Sequence, residues 1–183
     1  MALSEIMRLL AVALTLAASL TPVGPLGELT GLAVQRVQVG DLVAAAKFGT
    51  TQPIDDPVRE QQVLDTVRAK AVELELDPEN AARFFRAQIE ANKIVQRGLY
   101  ARWTAHPEEV PQHRPDLATE VRPVLDRLTT GILAELKDTE GLRRPTLRCG
   151  IQAAVAERSA VVLHRLDRLH GDALAEAMRT VCS

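Results

Sequence analysis

Arg36, Lys47, Arg59 and Arg122 fall where a helix should turn its apolar side inward, and they are the residues of this chain best suited to chemistry. The inward stripe of the first long helical stretch reads Leu29, Leu32, Arg36, Val39, Val43, Lys47, in steps of three or four. Arg36 and Lys47 are eleven residues apart, about three turns at roughly 3.6 residues per turn, so both project from nearly the same line. Arg59 leads the stripe Val63, Val67, Ala71, Leu74, and Arg122 leads Leu125, Thr129, Ile132, Leu136. A lone buried cation is costly unless an anion answers it. These stripes hold no matching ladder of acids, so an anionic ligand is the natural answer. A further stripe reads Ala81, Phe85, Gln88, Asn92, Gln96, Leu99, Trp103, with Gln88, Asn92 and Gln96 each one turn apart. Buried amides need hydrogen-bond partners, which a ligand's carboxylate, hydroxyl or ether oxygen supplies. Singly, each of these residues has an ordinary structural alternative: an arginine can snorkel to water, and an amide can bond to a backbone group. Together they describe a carboxylate-binding hollow.

The elements that must hold them are helices. The first is expected from Leu26 to Phe48, stopping at Gly49. Asp56-Pro57 starts a second, to Leu76, because Asp caps the free N–H groups and Pro fits the first turn. Asp77-Pro78 repeats the device and starts a third, to Thr104. A polar loop, His106 to Pro115, leads to a fourth over Leu117 to Lys137, with Pro123 in its first turn. After a loop from Gly141 to Pro145, a fifth covers Thr146 to Leu169, and Gly171-Asp172 opens a short sixth that ends near Cys182. No β-alternation or repeat appears, so the expectation is an all-α, single-domain bundle of five to six helices.

The chain has 183 residues, enough for one real core, and an aromatic content of 3% that favours helices over a β-sandwich. A net charge of −2 gives no global field for nucleic acid. Arg8, the apolar run Leu9 to Leu16, and the small residues Ala17, Ala18 and Ser19 read as an export signal over residues 1–20, with cleavage between about 18 and 24. The run falls short of the roughly 20 apolar residues that span a bilayer, so no membrane association is expected after its removal. Two cysteines fit an exported chain, and a Cys149–Cys182 bridge would pin the last helix onto the one before it. His164, Asp167 and His170 lack the spacing of a helical metal pair and read as surface residues, and no metal is expected. Arg143, Arg144 and Arg148 read as a solvated basic loop.

Arg36, Lys47, the run Asp56-Pro57-Val58-Arg59-Glu60 and the run Asn92-Lys93-Ile94-Val95-Gln96 resemble the all-helical, AroQ-type chorismate mutases. The segment Phe84 to Lys93, the export signal and the two cysteines are similar to the exported gamma subclass. The resemblance spans residues 26–182. It implies a cofactor-free isomerase that rearranges chorismate to prephenate, with a homodimeric assembly. It further implies that Arg36 and Arg122 clamp carboxylates, with Arg59 adding a cation or holding Glu60 and Asp56 in place. Lys47 and Gln96 would donate to the breaking ether oxygen. Asp56 and Glu60 would receive the ring hydroxyl, and Asn92 stands where relatives often carry Ser or Thr. Such a reaction needs a compact substrate conformer and donors aimed at growing charge, which suits these residue types. Two alternatives stay open: a lyase removing pyruvate from isochorismate, and a non-catalytic exported module that binds small carboxylates or a partner.

Overall fold

The computed structural model describes residues 23–183, and the expected export segment, 1–20, lies outside the described residues. Among the described residues six α-helices form an all-α bundle: α1 (Gly27–Lys47), α2 (Pro57–Glu73), α3 (Pro78–Ala105), α4 (Arg122–Asp138), α5 (Leu147–Leu163) and α6 (Arg168–Met178). None of the described helices is long and apolar enough to cross a membrane. Helix α1 is central and packs against α3, α4, α5 and α6. It is buried nearly all round, through Leu29, Ala33, Val34, Val37 and Ala44, which is why its apolar residues do not follow one stripe alone. Gly40 lets α3 come close: a Cβ there would sit 3.0 Å from the Val95 side chain and 3.3 Å from Asn92 Nδ2. That close crossing brings the polar stripe of α3 against the α1 line that carries Arg36 and Lys47.

The caps form as the sequence dictates. Asp56 accepts the N–H of Arg59 at 3.0 Å, and Asp77 accepts those of Glu79 and Asn80, both at 2.9 Å. Four boundaries differ from expectation, the first being that α2 ends at Glu73 rather than Leu76, because Glu75 takes a left-handed backbone (φ 56°) and Leu76 N–H closes onto Ala71 O. Residues Leu117–Val121 form one wide turn, with the Val121 N–H reaching back to Asp116 O, and α4 starts at Arg122. Pro123 therefore does lie in the first turn of α4. The fifth helix ends at Leu163, because Arg165 takes a left-handed backbone (φ 49°) and Leu166 N–H closes onto Val161 O. Asp167, not Gly171-Asp172, then caps α6 by accepting the His170 N–H at 2.9 Å.

Arg143 is also placed differently from a solvated loop residue. It is buried and donates to Leu136 O (2.7 Å) and Thr139 Oγ1 (3.2 Å), closing the C-terminal end of α4 where cations are favoured. Arg144 and Arg148 are exposed.

Cys149 and Cys182 are bonded, with Cα atoms 5.9 Å apart and 33 residues of separation. Closing a loop of that size is worth roughly 3–4 kcal/mol in the chain-entropy estimate. Reduction, or Cys149→Ala with Cys182→Ala, is expected to lower the unfolding free energy by about that amount in urea titrations. A loss under about 1 kcal/mol would show that the C-terminal packing holds without the bond.

His170 is more than a surface residue. Its ring is half-buried between Asp41 of α1 (Nε2 to Oδ1, 2.8 Å) and Asp167 (Nδ1 to Oδ1, 2.6 Å), tying α6 to α1. The bond to Asp41 outweighs burial and, with Asp167, raises its pKa from 6.5 to about 9. A pKa raised by folding adds stability that is fully present below about pH 6.5 and fades as pH rises through 9. The stability gap between the wild type and His170→Gln is therefore expected to be wide at pH 6 and to narrow by pH 9.5. An unchanging gap in urea midpoints across that range would show that the imidazolium adds nothing.

Candidate active site

A cavity of about 180 Å³ opens between α1, α2, α3, α4 and the loop that precedes α2. Arg36, Lys47, Asp56, Arg59, Glu60, Asn92, Gln96 and Arg122, the residues singled out from sequence, all line it. A larger surface hollow, about 470 Å³ by Asp77, Glu140, Arg143 and Arg144, includes none of them and mixes acids with bases. The smaller cavity is the chemically coherent one.

Arg36 is the most deeply buried cation of the cavity, only 6% exposed. Its guanidinium lies 5.4 Å from the centre of the Phe85 ring and donates through Nη1 to Thr129 Oγ1 (3.3 Å) and Leu125 O (3.4 Å). A ring face and two neutral oxygens orient the group without neutralising it. Burial pushes its pKa down to about 10, opposed by the field of Asp126, so it stays charged at neutral pH. Its charge remains available to a ligand carboxylate.

Lys47 ends α1, half-buried, and donates to Pro53 O at 2.8 Å. Burial lowers its pKa, while Asp56, Glu60 and Asp55 pull it back up. Arg59 and Arg122 are exposed rather than buried. Each belongs to the first turn of its helix, where the apolar stripe has run out past the core, so both stand at the cavity mouth. The expectation that Arg59 holds Glu60 and Asp56 in place gives way to a different arrangement. Its Nη1 donates to Gln62 Oε1 (3.3 Å), and only its backbone N–H bonds to Asp56.

Lys93 holds Glu60 instead, a role sequence reasoning missed. It is buried, with Nζ 2.8 Å from Glu60 Oε1, 3.0 Å from Glu90 Oε1 and 3.3 Å from Asp55 Oδ1. Burial alone would lower its pKa, but the bonds to Glu60, Glu90 and Asp55 raise it instead. Asp56 N–H also donates to Glu60 Oε1 (3.3 Å), and Arg97 grips Asp55 through Nη2 at 2.7 and 2.9 Å. The loop before α2 is thus strapped to α3. The sequence signal for Lys93 was the i, i+3 pair Glu90/Lys93, which by itself reads as a solvated couple. Asp126 was missed too, though its neighbours Leu125 and Thr129 lay on the α4 stripe.

The amides of α3 point inward as their spacing dictates. Gln88 is fully buried and donates to Ala177 O of α6 at 2.8 Å, leaving Oε1 without a donor among the described residues. Gln96 is 3% exposed and donates through Nε2 to Asn92 Oδ1 at 2.8 Å, and its Oε1 likewise has no donor. The trio His106, Glu108 and Glu109, whose ligand atoms lie within 4.8 Å of one another, is exposed and lines no part of the cavity.

The sequence pattern of the chorismate mutase type II family matches residues 27–97, the stretch that carries α1, α2 and most of α3. The secreted chorismate mutase of Mycolicibacterium smegmatis is 35% identical over 160 residues, 86% of each chain. Among solved structures, chorismate mutase from Burkholderia phymatum superposes with a TM-score of 0.82 at 33% identity, over 87% of this chain and 96% of its own. That from Burkholderia thailandensis gives 0.81 at 38% identity, over 86% and 99%. Likeness over more than four-fifths of the chain, in sequence and in fold, settles the relationship: the chain belongs to the chorismate mutase type II family.

Proposed function

We propose that this cavity rearranges chorismate to prephenate. The observation that carries the reading is the convergence of cations from α1, α2 and α4 with the Gln96 amide of α3 around one hollow. The reaction is unimolecular: the ether C–O bond breaks while a C–C bond forms, and negative charge grows on the departing oxygen. Arg36 and Arg122 clamp the two carboxylates, since a planar guanidinium matches a carboxylate fork, and Arg59 adds a third positive group at the mouth. That clamp holds the substrate in its compact, reactive shape. Lys47 and Gln96 donate to the ether oxygen, where a fixed ammonium and an amide N–H gain strength as charge develops. Glu60, held by Lys93, receives the ring hydroxyl together with Asp56. The step needs no cofactor and no proton transfer.

Export belongs to the same reading. It is supported by the relatives named as secreted chorismate mutases, by the signal-like segment Arg8 to Ser19 and by the disulfide. So does a homodimer, for which the exposed apolar residues Leu147, Ile151, Val155 and Val162 of α5 offer surface.

Product analysis with purified protein tests the activity. Chorismate is expected to be consumed with matching formation of prephenate. Salicylate and pyruvate from isochorismate, with chorismate untouched, would replace the mutase reading by the lyase. Turnover of neither substrate would leave a carboxylate-binding module.

A further inference from the structure

Gln96 is tied to its neighbour one turn back. Its Nε2, the atom that must donate to the ether oxygen, gives one of its two N–H groups to Asn92 Oδ1 at 2.8 Å and keeps the other. Its Oε1, which can only accept, is buried without a donor among the described residues. Asn92 is in turn set against α1, its Nδ2 3.3 Å from where a Cβ on Gly40 would stand.

We infer that Asn92 is the positioning residue that sets the orientation of the Gln96 amide, acting on the ether oxygen through Gln96 rather than by its own contact with a carboxylate. This rests on the mutase reading above. The second Nε2–H lacks an acceptor among the described residues, and a buried donor without a partner is costly. An oxygen of the ligand supplies that acceptor, and it is the atom on which charge grows. Asn92 suits this task because its Oδ1 accepts from Nε2 without adding charge. An Asp at this position would put a negative charge beside the departing oxygen. A Ser or Thr hydroxyl would accept with shorter reach.

A double-mutant cycle tests the inference, with chorismate as the probe and circular dichroism to verify the fold. Asn92→Ala is expected to lower kcat by about tenfold to a hundredfold, less than Gln96→Ala, while KM stays within about threefold. Added to Gln96→Ala, it is expected to lower kcat no further, because nothing remains to orient. Loss of the same factor in both backgrounds would overturn the inference, as would a raised KM with kcat intact, or no effect at all. If Asn92→Ala fails to fold, Asn92→Ser is read in the same cycle, with an intermediate loss expected in the wild-type background only. Wild-type turnover in Gln96→Ala itself is a different result, and it removes the donor reading of Gln96 rather than the coupling alone.

Discussion

Lys47→Ala is expected to lose at least a hundredfold to a thousandfold in kcat while remaining folded. Removing one preorganised transition-state donor costs about 3–4 kcal/mol, and each 1.36 kcal/mol is about a factor of ten. The lysine combines a full charge with a sheltered position at the end of α1, where burial has already lowered its pKa. Little of the fold depends on it. Its one hydrogen bond goes to Pro53 O in the loop before α2, and Arg97 and Lys93 hold that loop through Asp55. Thermal unfolding should therefore shift by no more than a few degrees. A kcat within tenfold of the wild type would remove the ammonium from the mechanism.

Gln96→Ala is expected to fall in the same range, and Gln96→Glu adds a sharper contrast. A glutamate donates to the ether oxygen only when protonated, so the Glu variant should regain activity as pH falls through the carboxyl pKa and lose it as pH rises. Both variants disturb the cavity lining, but the amide makes only the one bond to Asn92 within its own helix, so its loss threatens no inter-helix contact. Equal rates for Gln96→Ala and wild type, from stopped assays at saturating chorismate, would contradict the assignment.

Much of this arrangement was legible before any coordinates, for identifiable reasons. Asp56-Pro57 and Asp77-Pro78 are local devices whose effect needs no tertiary context, and both helices begin there. The Gln88, Asn92, Gln96 line was readable because Phe85 and Leu99 flank it and fix which side of α3 is inward. The end of α5 was not readable, because its left-handed residue is Arg165 rather than glycine. The exposure of Arg59 and Arg122 was hidden because periodicity gives a direction around a helix axis but not whether a neighbour extends that far along it. Lys93 follows Asn92 by one residue, about 100° off the amide line. Its burial arises because the loop before α2 folds over it through Asp55 and Glu60, a contact between segments more than thirty residues apart in sequence.

The most direct measurement is kcat against pH for the wild-type enzyme on chorismate, from pH 5 to 8.5. Fixed donors with no titrating acid or base should give a level profile. Arg36, with a pKa of about 10, keeps its proton there. Lys47, its pKa lowered by burial, should bring any decline in at the alkaline edge earlier than an ordinary lysine would. A level profile through neutrality agrees with catalysis by charge and shape alone. A steep loss between pH 5 and 7 would mean that a protonated carboxyl or imidazolium does the work assigned here to the Gln96 amide.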